Sequence, residues 1–190
     1  MSDPDFTAIF NQVHGFLSLA EAELLYRLTS EVPANGVIVE IGSYQGRSTV
    51  CLGLGAKEHG AWVYAVDPHY DYEVDGTHYS MADNQYYYAN LAKFGVGDVV
   101  RTLNTTSFHA VCNWKVDHDW ISLLWIDGSH EYEYVSEDFR LWSQYIHGKI
   151  VMHDTAGYHP GVTQMLNEIL AAGQWTITQR VDAIAVLSRI

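Results

Sequence analysis

Basic residues, cysteine and proline are all scarce in this chain, and long apolar runs are missing. Ten lysines and arginines stand against 23 aspartates and glutamates, a formal net charge of −13 over 190 residues. A polyanion selects a basic face, so this balance argues against nucleic acid and against an anionic membrane surface, and favours small-molecule partners. The two cysteines, Cys51 and Cys112, are too few for a disulfide framework, and neither has a histidine or base beside it in a motif that marks a nucleophile. Both read as buried thiols. Four prolines and no Pro/Ser-rich stretch leave no linker, so residues 1–190 read as one domain. No apolar run is long enough to span a bilayer, and the first residues lack a basic region followed by an apolar core. The expected location is the cytoplasm.

What is present is organised around Gly36 to Thr49. Val37 to Ile41 is a short β-branched run broken by Glu40, which reads as a buried parallel strand. A glycine turn follows (Gly42, Ser43, Tyr44, Gln45, Gly46), then a helical run from Ser48 to Ala56. Strand, turn and helix N-terminus make a site for an anionic or zwitterionic ligand. Further strands are expected at Trp62 to Val66, Val99 to Leu103, Ile121 to Ile126 and Lys149 to Met152, and a closing pair at Trp175 to Arg180 and Ala183 to Leu187. Helices are expected at Asp5 to Val13, after the Ser18 to Glu21 capping box, at Met81 to Phe94, Glu131 to Tyr145 and Gly161 to Ala172. Residues 1–33 then form N-terminal helices, a lid or simple packing, ahead of a ligand-binding core at 34–190. Asp71 to Gly76 reads as an acidic, solvated loop, and of Tyr86, Tyr87 and Tyr88 at least one must pack inward.

Chemistry concentrates at the ends of these strands. Asp67 stands about 20 residues past the glycine turn, the distance at which an acid accepts hydrogen bonds from a ribose diol. Asp127 and Asp154 end neighbouring strands, about 4.8 Å apart, so two carboxylates meet and call for a proton or a bridging divalent cation. His130 opens a helix, where the dipole favours a neutral ring that can accept a proton. His14, His59, His118 and His147 lack motif context and read as surface residues.

The pattern Glu40-x-Gly42-x-x-x-Gly46 resembles motif I of the class I S-adenosylmethionine-dependent methyltransferases. Ile126-Asp127-Gly128-Ser129-His130-Glu131-Tyr132, followed by Gly148 to Thr155, is similar to the branch containing sugar and antibiotic O-methyltransferases and cephalosporin-hydroxylase-like proteins. The resemblance implies an α/β, Rossmann-like fold, a seven-stranded and mostly parallel sheet with an antiparallel C-terminal pair and helices on both faces. It implies S-adenosylmethionine on Glu40, Gly42, Ser43, Tyr44, Gly46, Ser48, Asp67 and Asp127, with Thr106 and Ser107 beside the adenine. In metal-dependent relatives the positions of Asp127, His153 and Asp154 hold Mg²⁺ and that of His130 supplies the base. His153 replaces an acid there, and imidazole suits Mn²⁺, Fe²⁺ or Zn²⁺ better. The implied activity is methylation of a hydroxyl on a small acceptor, a sugar or natural product, with Asp127 and His130 catalytic and a metal assisting. A homo-oligomer is compatible with it. The rival reading is a non-catalytic module of the same fold that holds adenosylmethionine or a nucleotide.

Overall fold

In the computed structural model, which describes residues 4–74, 77–117 and 120–190, alternate residues of the central strands face two separate cores. Ile38, Val63, Ala65, Leu123, Trp125, Val151, Ile184 and Val186 share one apolar cluster, while Val37, Val39, Ile41, Leu124, Ile126, Ile150, Met152, Ala185 and Leu187 share the other. With both faces of the sheet covered, β1 (Val37–Ile41) is buried at every position and apolar at all but Glu40. Around it run β2 (Trp62–Val66), β5 (Val100–Leu103), β6 (Ile121–Ile126), β7 (Ile146–Met152), β8 (Trp175–Val181) and β9 (Ile184–Arg189), in the order β5-β2-β1-β6-β7-β9-β8. β9 is antiparallel to both β7 and β8, and the remaining pairs are parallel. The order reverses direction between β1 and β6, so the crevice above their carboxyl ends is where this architecture binds ligands.

On one face lie α1 (Phe6–Gln12), α2 (Leu19–Thr29), α3 (Arg47–His59) and α4 (Asp83–Lys93); on the other lie α5 (Ser107–Asp117), α6 (Tyr132–Trp142) and α7 (Pro160–Ala171). The N-terminal helices bury Ile9, Leu24, Leu25 and Leu28 in the same cluster as the sheet. α2 opens on the expected capping box, the Ser18 hydroxyl accepting from Glu21 N and the Glu21 carboxylate from Ser18 N. No helix among the described residues is long and apolar enough to cross a membrane.

Several expectations need correction. Tyr72–Val74 and Thr77–Tyr79 pair as a small antiparallel hairpin, β3 and β4, where an irregular acidic loop was expected; Asp75 and Gly76 lie outside the described residues. β7 starts at Ile146, three residues early, because Gly148 fits directly against the Ser122 carbonyl, where the pairing with β6 shifts register. α6 stops at Trp142 and continues as a single 3-10 turn, Ser143–Tyr145. Cys112 is exposed and only Cys51 is buried. Tyr87 is the inward tyrosine, with Tyr86 and Tyr88 exposed.

Candidate active site

Four strand ends, those of β2, β1, β6 and β7, interlock to make the site. Gly42 N donates to Val66 O (2.9 Å), Asp127 N to Ile41 O (2.9 Å) and His153 N to Ile126 O (3.1 Å). Gly42, at φ +86°, lies against the Asp127 carbonyl with no room for a Cβ, so the turn passes directly over the end of β6. Asp67 holds that turn: its Oδ2 accepts from Ser43 N and Tyr44 N and its Oδ1 from His69 N, each at 2.9 Å. A carboxylate offers about four acceptor positions. Three are taken, which leaves one acceptor position toward the cavity where the sequence suggested a pair.

A cavity of about 760 Å³ opens above these ends. Its wall includes Gly42, Ser43, Tyr44, Ser48, Asp67, Thr106, Ser107, Asp127, His130, His153 and Asp154. Two residues of the motif-I expectation stand elsewhere. Gly46 packs on the Tyr87 ring as the N-cap of α3. Glu40 is fully buried beneath the turn, its Oε2 accepting from Thr49 Oγ1 (2.6 Å), and burial, partly offset by the Ser48 and Thr49 hydroxyls, pushes its pKa up to about 8. Thr106 caps α5 through its contacts with His109. The Ser107 hydroxyl accepts from Trp142 Nε1 (2.8 Å) and binds Asp138, whose carboxyl burial pushes up to about 6. Those two hydroxyls therefore order this side of the cavity wall.

The floor is a cluster of acids and imidazoles. His153 Nδ1 lies 2.9 Å from Asp127 Oδ1 and 3.1 Å from Asp154 Oδ2, and its Nε2 lies 3.4 Å from Glu21 Oε2 on α2. Burial alone would lower the His153 pKa, but Asp127, Asp154 and Glu21 raise it well above the usual imidazole range. Burial likewise would raise Asp154, but hydrogen bonds from His130 and His153 hold it below the usual carboxylate range; Asp127 is raised by burial that His153 only partly offsets. Ligand atoms of Asp127, His153 and Asp154 do lie within 4.8 Å of one another, as a shared metal would require. Imidazole and carboxylate donors of this kind suit a transition-metal dication, and His153 itself bridges the two carboxylates through Nδ1. His130 Nε2 lies 2.8 Å from Asp154 Oδ2, and His159 Nε2 3.7 Å from Asp154 Oδ1.

A family model described as a methyltransferase domain matches residues 39–155, more than half of the chain and all of the interlocked strand ends. The chain belongs to the methyltransferase domain family. Similar solved structures include the O-methyltransferase TomG of Streptomyces achromogenes, in complex with SAM (16% identity, 100% of this chain and 91% of that one, TM-score 0.73). An O-methyltransferase from Bacillus cereus in complex with SAH matches over 100% of this chain and 92% of its own at 15% identity and TM-score 0.73. The SAH-bound Podospora anserina methyltransferase PaMTH1 matches over 99% and 89% at 13% identity and TM-score 0.69. At these identities the likeness shows the fold, the class I methyltransferase fold.

Sequence reading missed several walls of the methyltransferase cavity. Arg47, first residue of α3, donates from Nε to Val13 O (2.9 Å), from Nη1 to Leu17 O (2.8 Å) and from Nη2 to Phe10 O (3.1 Å), and its guanidinium covers the Phe10 ring. That fork straps residues 14–17 over the cavity mouth. His14 is exposed, as expected, yet also borders this wall: its ring, like that of Phe16, packs on Tyr44, which in turn meets Tyr79 of the hairpin. His59 is half-buried, His147 exposed, and His118 lies outside the described residues. Glu21 was legible only as a local cap, and His159 only as the residue before Pro160.

Proposed function

We propose that the protein transfers the methyl group of S-adenosylmethionine to a hydroxyl oxygen of a small acceptor, such as a sugar or natural product. The observation that carries this reading is the His130–Asp154 pair, which faces the same cavity as the Gly42–Tyr44 turn. The amino-acid end of the cofactor fits the turn and the first residues of α3, its ribose the remaining acceptor position of Asp67, and its adenine the wall from Thr106 to Phe108 beside Asp138. The SAM and SAH bound by similarly folded O-methyltransferases support the choice of cofactor.

Transfer is an in-line displacement. The acceptor oxygen forms its bond to the methyl carbon as the carbon–sulfur bond breaks, the electron pair returns to sulfur, and neutral S-adenosylhomocysteine leaves. A hydroxyl must lose its proton as this happens, and His130, anchored on Asp154, is the group on which that loss depends. His14, Phe16, Tyr44 and Tyr79 exclude water and present aromatic faces to a sulfonium. His153, fixed by Glu21, Asp127 and Asp154, keeps the floor from accumulating negative charge.

The test is incubation with S-adenosylmethionine and a panel of sugars, phenols and other hydroxylated metabolites, with methylated product and S-adenosylhomocysteine read by mass spectrometry. An O-methylated product is expected. Tight binding of S-adenosylhomocysteine with no product across the panel would instead favour the non-catalytic module.

A further inference from the structure

We propose that His130, Asp154 and His159 form a binding site for a first-row transition-metal dication, sharing only Asp154 with the cluster of Asp127, His153 and Asp154. Each oxygen of the Asp154 carboxylate faces an imidazole from a different helix start: Oδ2 lies 2.8 Å from His130 Nε2 and Oδ1 3.7 Å from His159 Nε2. One ligand atom from each residue lies within 4.8 Å of the other two. Zinc-like ions bind nitrogen and oxygen at about 2.0–2.2 Å, which sets tetrahedral ligand–ligand edges at roughly 3.4 Å. The two observed separations straddle that value, and the longer one exceeds a hydrogen bond.

Local structure holds the three groups together. Asp154 adopts φ +57°, a left-handed conformation uncommon for a residue with a side chain, two residues past Met152, the end of β7. His130 precedes α6 and His159 precedes α7, and those two helix starts are clamped. Gly161 fits against the His130 carbonyl and Tyr132 N, where no side chain has room, and Tyr132 Oη donates to Glu168 Oε2 (2.9 Å) farther along α7. The imidazole rings consequently lie side by side, their centroids 3.8 Å apart at a 40° tilt. The residues are partly buried, with side-chain exposures of 22% for His130, 18% for Asp154 and 29% for His159.

Two imidazoles and one carboxylate select Mn²⁺, Fe²⁺, Co²⁺ or Zn²⁺ over Mg²⁺ and Ca²⁺, which prefer oxygen shells. All three residues line the cavity, so the remaining coordination positions face into it. The role of such an ion rests on the methyl-transfer reading: it would lower the pKa of the acceptor hydroxyl, whose proton passes to solvent, and so account for the dependence on His130. Binding itself is independent of that reading and is measured without cofactor or acceptor.

Co²⁺ titrated into the full chain, with visible d–d absorption as readout, tests the site. Saturation at one ion per chain is expected, with His159→Gln weakening it by at least about tenfold, the scale of even an indirect disturbance of a metal site. Asp127→Asn should leave Co²⁺ affinity within roughly threefold. His159→Cys should keep binding and add a sulfur-to-cobalt charge-transfer band, which separates lost ligation from lost folding. Absence of saturable binding overturns the proposal, as does binding that survives His159→Gln but is abolished by Asp127→Asn, since the ion then belongs to the neighbouring cluster. Calorimetry of S-adenosylhomocysteine on the same samples reports the cofactor site separately.

Discussion

Thr49 donates a 2.6 Å hydrogen bond to Glu40, tying the first turn of α3 to the penultimate residue of β1 in a position sealed from solvent. Glu40 keeps its proton in the fold over a range in which the unfolded chain has released it, because its pKa rises from 4.5 to about 8. Its contribution therefore erodes stability as pH climbs through that window and levels off above it. Glu40→Gln removes the titration while keeping the shape. The Tm of the variant relative to wild type should increase steadily from pH 4.5 to about 8; a constant offset would show that Glu40 titrates normally.

Asp67→Ala strands three backbone N–H groups of the turn. Each unsatisfied buried donor costs about 1–3 kcal/mol, so the ligand-free protein should melt earlier. Calorimetry should also show S-adenosylhomocysteine affinity reduced by at least about tenfold. An unchanged melt with weaker binding would mean that Asp67 acts on the ribose alone.

Removal of a group that governs proton transfer typically costs about 10²–10⁴ in rate. His130→Ala should depress kcat on the true acceptor by that order, while S-adenosylhomocysteine affinity stays within roughly threefold. Wild-type kcat in a folded His130→Ala protein would take His130 out of the chemistry.

Arg47→Lys keeps a charge but loses the planar fork that reaches three carbonyls at once. Limited proteolysis should then cut within residues 10–17 faster than in wild type, and KM for the cofactor should rise. Equal cleavage rates would show that the strap is held by its apolar contacts.

How much of this was legible in the sequence depended on range. β1, β2 and β6 were readable to the residue because each is a β-branched or apolar run closed by glycine, aspartate or proline. The start of β7 was not, since Ile146-His147-Gly148-Lys149 breaks the apolar pattern and is held by its neighbour at Ser122. At the site, Asp127, His130, His153 and Asp154 were visible because they sit in two short motifs at strand ends. Their partners were not. Glu21 is 132 residues from His153, and its cap pattern says nothing about the oxygen that faces the imidazole. Asp67 and Ser107 were found as positions, but not the Ser43 and Tyr44 N–H groups that Asp67 accepts from, nor the Trp142 indole that donates to Ser107, because those partners come from other segments.

The three carbonyls gathered by Arg47 also tie the cavity wall to the glycine turn. The residue that begins α3 is the one that holds down residues 10–17, so the turn at the end of β1 and this part of the wall are mechanically coupled. Under the methyl-transfer reading, loosening that segment loosens the wall beside the bound cofactor. Arg47→Lys should accordingly release S-adenosylhomocysteine faster than wild type.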